Sequence, residues 1–474
     1  MSFLIYDLVF LAVFLAVFSI FLYTRKKNLK REGIMYLYKT SWGINLINRI
    51  GNKYRKTIKL LSFVSISIGY ILMAVMIYLT YQLIKIYFFA PDVVRAVKVP
   101  PIMPLVPYLP QIFNLSFLPP FYFTYWIVII AIIAITHEMA HGIFASYNKV
   151  KIKTTGFGFF PFFLPIFLAA FVELDEKVMQ KKKKFAQMAI LSAGVFANIL
   201  TAILFFAVLA LFFISAFSAS GIIYDSYATA LVPLSGITMV NGINVTNASY
   251  EKIIEMSNNE GLNELADNSG QYLATKELIE KQKGGEEIYL YHSAPAIKEN
   301  LSSIIVEINN VRVLNMESLI SELSKYSPGD EISVKTIRDE GVVEQKIVLE
   351  ENPNEKGKAW LGIGFVSRDG KSAFGKIISA VSFKKPNVYY EPKIDGWSVF
   401  IYNLLWWLVL ISISVALINM LPIGIFDGGR FFYLTILGIT KSEKIAKNSF
   451  VLLTKIFLAL VFLLLILWGI SFFR

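Results

Sequence analysis

Residues 137–141 read His-Glu-Met-Ala-His within an apolar run. On a helix, the i, i+4 spacing puts His137 and His141 on one face about one turn apart, so both imidazoles can share one metal ion. Glu138 stands next to the first ligand, placed to take a proton from a metal-bound water as general base. Zinc is the default ion, because it accepts nitrogen and oxygen ligands and needs an open fourth position for catalysis. The bland alternative is a pair of packed or hydrogen-bonded histidines. It is costly in hydrocarbon, where a buried glutamate needs a partner or a function. The chain has three histidines, and two of them lie in this motif. The third, His292, is far away in sequence and is expected to be a surface residue.

Two histidines need a third protein ligand. Residues 419–430 read Asn-Met-Leu-Pro-Ile-Gly-Ile-Phe-Asp-Gly-Gly-Arg, and Asp427 is the only acid between Asp395 and Glu443. Gly428 and Gly429 allow close backbone approach. A helix-ending Asp-Gly turn is the alternative reading of these residues taken alone. Topology favours the ligand: the third and fifth apolar stretches run in the same direction, so His137 and Asp427 reach similar depth. The expected site is therefore His137, His141 and Asp427 around one Zn2+, with Glu138 catalytic.

The elements that must position these residues are membrane spans. Of 474 residues, 55% are hydrophobic and only 17% charged, with a mean hydropathy of +0.57. A soluble surface of this size needs more charge, so the sequence predicts a polytopic α-helical membrane protein. The absence of cysteine excludes disulfides, thiolate zinc sites, iron–sulfur clusters and cysteine nucleophiles. Six apolar stretches are long enough to span, at about 3–23, 60–90, 122–147, 189–217, 398–421 and 448–473. Basic residues follow the first stretch instead of preceding it, so the first stretch is expected to be a retained anchor and not a cleaved leader. A shorter stretch, 156–172, is broken by Gly156, Gly158, Pro161 and Pro165. It reads either as a re-entrant segment or as an interfacial loop.

Charge sets the expected topology. Residues 24–59 carry 11 Lys/Arg against Glu32 alone, and 148–188 carry eight Lys against three acids. The last connection holds Arg430, Lys441, Lys444 and Lys447. These segments fall on one side if all six spans are real, and the positive-inside rule makes that side cytoplasmic. Both termini and segment 218–397 then lie outside the cell membrane, with the active site toward the cytoplasm. Segment 218–397 has 25 acids and 18 bases, so the chain's net +12 comes from its membrane part. The excess suits lipid headgroups of the bilayer and not nucleic acid. The expected organisation is two N-terminal spans (1–121), a first catalytic part (122–217), the outer insertion (218–397) and a second catalytic part with the last span (398–474).

The insertion alternates apolar and polar residues and carries turn signals such as Ser327-Pro-Gly-Asp330. Residues 237–245 (Ile-Thr-Met-Val-Asn-Gly-Ile-Asn-Val) are echoed by 305–313 (Ile-Val-Glu-Ile-Asn-Asn-Val-Arg-Val). Its landmarks (293–296, 304–313, 328–330 and 360–363) resemble those of PDZ domains, although Asn300-Leu301 stands where Gly-Leu is usual. The resemblance implies an α+β region with one PDZ-like domain near 286–366 and a degenerate one at 221–285, able to bind peptide by strand addition. A plain β-rich sensor or cap is the alternative.

Together, His137-Glu138-x-x-His141, Ala193-Gly194-x-x-x-Asn198, Asn419-x-x-Pro422-x-x-x-x-Asp427-Gly428 and the insertion between the fourth and fifth stretches resemble the site-2 protease family of intramembrane zinc metalloproteases. Departures are small: Phe426 stands where Leu is frequent, and Val195 where Pro is frequent. The resemblance implies cleavage of membrane-spanning protein substrates after a first cut outside, in regulated signalling. It further implies that Asn419 helps hold the substrate or the oxyanion and that Asn198 plays a supporting polar part. Asn198 reads equally as interhelical hydrogen-bonding glue. Segment 156–172, with Gly156 and Gly158, is expected to offer an edge for an extended substrate. Rival classes are a prenyl-protein protease, a non-catalytic scaffold or sensor, and a zinc transporter. The Asp427 motif, Glu138 and the single site argue against them in turn.

Overall fold

A computed structural model describes residues 3–33, 35–97, 99–159, 168–338, 341–366 and 382–471. The chain divides into two compact units, Met1–Phe212 with Val399–Arg474, and Phe213–Ser398. Among the described residues, six helices are long and apolar enough to cross a membrane. Together with the β-sheet regions they fit a polytopic helical membrane protein with an inserted β domain.

In the first unit, the spans are α1 (Phe3–Thr24), α3 (Arg55–Phe89), α4 (Phe123–Tyr147), α5 (Lys184–Ala216), α6 (Trp397–Asn419) and α8 (Glu443–Ile470). Two shorter helices, α2 (Ile44–Lys53) and α7 (Asp427–Thr440), stand beside them. Small residues let these helices approach closely. A Cβ on Gly142 of α4 would meet Ile47 of α2 at 2.9 Å, and one on Gly51 of α2 would meet the Ile143 carbonyl at 2.8 Å. The Ser65 hydroxyl of α3 bonds the Ser192 hydroxyl of α5 at 2.7 Å, both fully buried.

A four-stranded antiparallel sheet completes the unit: β1 (Leu29–Glu32), β2 (Met35–Thr40), β3 (Ile152–Phe159) and β4 (Leu168–Leu174), in that order. Within the apolar segment 156–172 the described residues, 156–159 and 168–172, are strand, and Pro161 and Pro165 lie outside the described residues. Its aromatics pair across strands: Tyr36 opposes Phe159 and Tyr38 opposes Phe157. Phe18 and Phe21 of α1 pack on the same rings. Lys39 ties β2 to Glu173 of β4 across β3, at 2.9 Å, and also pairs with Glu32. The Lys39 bond lowers the Glu173 carboxyl below its ordinary range, and the two carboxylates raise the lysine.

α4 lacks a capping side chain of its own at Tyr122. The cap comes from another span. Asp7 of α1, 1% exposed, accepts from the N–H groups of Phe123 (2.8 Å) and Thr124 (2.9 Å). It also accepts from the hydroxyls of Thr124 and Tyr108. Every acceptor site of a buried carboxylate is thereby used.

In the second unit, one sheet runs Thr229–Pro233, Glu287–His292, Gln271–Ala274, Asn263–Ala266, Met239–Val240, Ile243–Asn244. Its core holds Val240, Ile253, Leu265, Ile279, Ile288 and Leu290. A second large sheet runs Gly341–Val348, Glu331–Arg338, Ile304–Ile308, Phe217–Ile223, Val388–Pro392, with Val311–Arg312 paired to Ile304–Ile308. Its core holds Ile222, Ile305, Ile308, Leu319, Ile332 and Ile347. The sequence echo marks equivalent hairpins. Asn241-Gly242 and Asn309-Asn310 turn with positive φ at both residues, and each hairpin leads into a short helix, Tyr250–Glu255 or Met316–Leu323. The strand arrangement differs from the expected boundary at 286. Glu287–His292 pairs with Thr229–Pro233 and Gln271–Ala274 in the first sheet. The second sheet instead draws Phe217–Ile223 from before the first module. His292 is not a plain surface residue: its ring lies 5.6 Å from Tyr272 and 5.5 Å from Trp360, and burial lowers its pKa.

Replacing Asp7 by Ala strands two backbone donors and the hydroxyls of Thr124 and Tyr108. The expected loss is about 1–3 kcal/mol per stranded group before relaxation, read as a lower unfolding midpoint in detergent. Asp7→Asn, which keeps one acceptor oxygen, should fall between the two. A midpoint unchanged in Asp7→Ala would remove the carboxylate from the α4 cap.

Candidate active site

The site is built on α4, α5 and the start of α7. His137 and His141 lie one turn apart on α4, 8% and 9% exposed. Their Nε2 atoms are 3.0 Å apart. Asp427, the first residue of α7, sets Oδ2 at 3.5 Å from His137 Nε2 and 3.2 Å from His141 Nε2. Asp427 reaches this point because the chain doubles back tightly after α6. A Cβ on Gly428 would lie 2.4 Å from the Met420 carbonyl carbon, and one on Gly429 would lie 2.3 Å from the Ile423 oxygen. One turn on, Arg430 forms a two-pronged pair with Glu176 at 3.0 and 2.9 Å, anchoring the start of α7.

α5 orients both rings through one stripe, Ile190, Gly194 and Asn198, spaced four apart. His141 Nδ1 lies 2.7 Å from the Ile190 carbonyl oxygen. A carbonyl only accepts, so Nδ1 carries the proton and Nε2 presents a lone pair. The Asn198 amide lies 3.0 Å from His137 Nδ1, with Nδ2 the nearer atom and Oδ1 buried without a partner. Turning that amide by half a revolution sets its oxygen on Nδ1–H and leaves His137 Nε2 bare as well. Gly194 keeps the space open, since a Cβ there would stand 2.4 Å from His141 Nε2 and 2.5 Å from the His137 ring.

These residues fit a metal. Two imidazole lone pairs and a carboxylate oxygen converge on one point, and a cation there balances them. The observed edges of 3.0, 3.2 and 3.5 Å bracket the roughly 3.3 Å edge of a tetrahedron with zinc bonds of about 2.0–2.1 Å. Among the described residues these three form a group whose ligand atoms all lie within 4.8 Å of one another.

Glu138 points off the same helix turn, and its Oε2 accepts from the Val172 N–H of β4 at 2.9 Å. A cavity of about 490 Å³ joins these parts. Its lining includes the two histidines, Glu138, Asp427, Ala170 and Asn419, the last residue of α6. Gly156 and Gly158 do not supply the expected edge. They sit on β3, paired on one side with Lys39 and Leu37 and on the other with Phe171 and Ala169. Their lack of a side chain serves close packing, since a Cβ on Gly156 would overlap the Tyr38 carbonyl. The outer strand is β4, the other half of the same segment.

The motif Ala193-Gly194-x-x-x-Asn198 holds Gly194 without revealing its task, and neither the Ile190 carbonyl nor the Val172 N–H is visible in the sequence. Only the four-residue spacing of Ile190, Gly194 and Asn198 could have signalled a common face. Backbone donors and acceptors leave no mark in residue identity.

Six apolar spans and a buried two-histidine, one-carboxylate cluster with a neighbouring glutamate have the plan of a membrane metallopeptidase. The sequence profile of Peptidase family M50 matches residues 125–464, which holds every residue of the site. The chain belongs to this family, the site-2 protease family of zinc metallopeptidases. No curated protein matches the chain.

Replacing Asp427 by Ala should lower bound zinc per chain, measured by elemental analysis after dialysis. Asn198→Ala should weaken zinc binding about 10–100-fold in a chelator competition, the usual effect of disturbing a ligand's support, and Gly194→Ala should weaken it further, because its Cβ would stand 2.4 Å from His141 Nε2. Zinc affinity equal to wild type in Asn198→Ala would leave that residue as interhelical glue alone.

Proposed function

We propose that the chain is an intramembrane zinc endopeptidase that hydrolyses membrane-spanning substrate proteins, after a first extracytoplasmic cut, in regulated intramembrane proteolysis. The observation that carries this reading is the triangle of His137, His141 and Asp427 beside Glu138, in a cavity walled by an open strand edge. Zinc held by these three residues would supply Lewis acidity toward a water and a peptide carbonyl. Glu138 takes the proton of the attacking water and returns it to the leaving amine. Asn419, on the cavity wall, steadies the substrate carbonyl. A helical substrate hides its carbonyls in its own hydrogen bonds, so the cleaved stretch is extended and lies along β4.

The insertion acts as a PDZ-like filter or docking region that admits substrates shorn of their outer domain and can hold a peptide. Its two hairpin–helix repeats support that reading. The basic segments support a cell-membrane orientation with both termini outside and the site toward the cytoplasm. The partners are transmembrane proteins and the bilayer, without nucleic acid.

The test is cleavage of a co-reconstituted single-span protein, with zinc quantified in parallel. Glu138→Gln should keep its zinc and lose about 10²–10⁴-fold in cleavage rate. Cleavage at the wild-type rate by Glu138→Gln would sink the general-base role, and a wild type without zinc or product would sink the peptidase reading.

A further inference from the structure

We propose that Glu138 and the substrate backbone compete for one hydrogen-bond donor, the Val172 N–H on the open edge of β4, so that strand addition by the substrate releases the base. The inference rests on the peptidase reading above and concerns how substrate engages that same site.

The register of β4 carries the argument. Val172 opposes Thr155, Phe171 opposes Gly156 and Ala170 opposes Phe157. In an antiparallel pair, alternate residues turn their N–H and C=O groups away from the partner strand. The Val172 N–H is directed to Glu138, so Val172 and Ala170 are the residues whose backbone groups face outward. That edge has no strand partner among the described residues. Both residues line the cavity that holds the metal ligands. An extended chain pairing with β4 there must place a carbonyl on the Val172 N–H, the position the Glu138 carboxylate holds in this structure.

The helix side shows the same arrangement. Ile130, Ala134 and Glu138 are spaced four apart on α4 and line the cavity together with Ala170 and Val172. The two apolar members offer the edge no polar partner, whereas Glu138 covers an amide. A lone charged side chain of this kind protects an exposed strand edge. Here it also stores the general base on the group that substrate must take. A segment that stays helical cannot displace it, because its carbonyls are already bonded internally. The device therefore selects unwound segments and makes the base available only once such a segment is in place. Val172 is a positioning residue in this scheme, acting through Glu138.

The test uses the full chain in lipid nanodiscs and a fluorescent peptide of about 22 Leu and Ala residues, interrupted by a central Gly-Gly pair. Glu138→Ala uncovers the Val172 N–H, whereas Glu138→Gln keeps an acceptor oxygen on it. The expected result is that Glu138→Ala binds the peptide about 2–13-fold more tightly than Glu138→Gln, the range of one hydrogen bond gained or lost. Adding Val172→Pro, tolerated where an edge N–H points outward, should abolish that difference. Amide exchange at Val172 in the peptide-free protein should be slow in wild type and Glu138→Gln and fast in Glu138→Ala. Equal affinities in the two Glu138 variants, with wild type cleaving the peptide, would overturn the competition and leave the peptidase reading standing. Wild type that neither binds nor cleaves any single-span peptide would overturn both.

Discussion

The structure depends on where each imidazole places its second nitrogen. A histidine ligand works only when its other ring nitrogen is fixed by a partner. In hydrocarbon such a partner must come from the protein itself. Here α5 supplies both, through the Ile190 carbonyl and the Asn198 amide. A helix normally has no carbonyl to offer, because each accepts from the N–H four residues ahead. Ile190 shows that a second lone pair on such a carbonyl can still receive a ring N–H at 2.7 Å. Gly194 between them is a steric necessity, since any side chain would occupy the focus of the ligands.

The remaining elements hold α4 against α5 in the register that this pairing needs. Asp7 fixes the far end of α4 from a neighbouring span. Gly142 and Gly51 bring α2 against the turn that carries His141. Arg430 and Glu176 fix the start of α7, and Lys184 of α5 donates to the Leu437 carbonyl near its end, at 2.7 Å. Asp427 is thus held from both sides of its helix. Most of these contacts are polar groups or missing side chains, as expected where apolar burial alone drives helices no more toward each other than toward lipid.

The parts legible in the sequence were those written in side-chain identity and period. His137, Glu138 and His141 are rare residues in an apolar run, and Asp427 is an isolated acid at matching depth. The six spans follow from hydropathy over lengths that leave little ambiguity. The four-stranded sheet was not legible. Its β1 and β2 lie in a loop dense in Lys and Arg, β3 begins Ile-Lys-Thr-Thr and runs on into Gly-Phe repeats, and β4 is apolar but for Glu173, so no sustained apolar–polar alternation marks them. Gly156 and Gly158 read as breakers, yet they sit in mid-strand, where tertiary packing overrides propensity. The order of strands in the insertion escaped for a different reason: hydrophobic period identifies a strand but says nothing of which neighbour it takes. Asp7 could have been singled out, as an acid within an otherwise apolar helix, although nothing in the sequence names its partners.

The pairing of Phe217–Ile223 with Val388–Pro392 bears on synthesis. These strands are the first and last of the insertion, side by side in one sheet, with Phe217 opposite Pro392. Their juxtaposition closes a loop of the greatest sequence separation in that unit, which makes it a late event as the chain emerges. Until residue 392 has been made, Phe217–Ile223 keeps a bare flank and the second sheet is unfinished. The other sheet needs nothing beyond residue 292 and can mature while translation continues. A chain halted between those two points would carry one finished module and one sheet with an open, aggregation-prone side, a natural mark for quality control to detect.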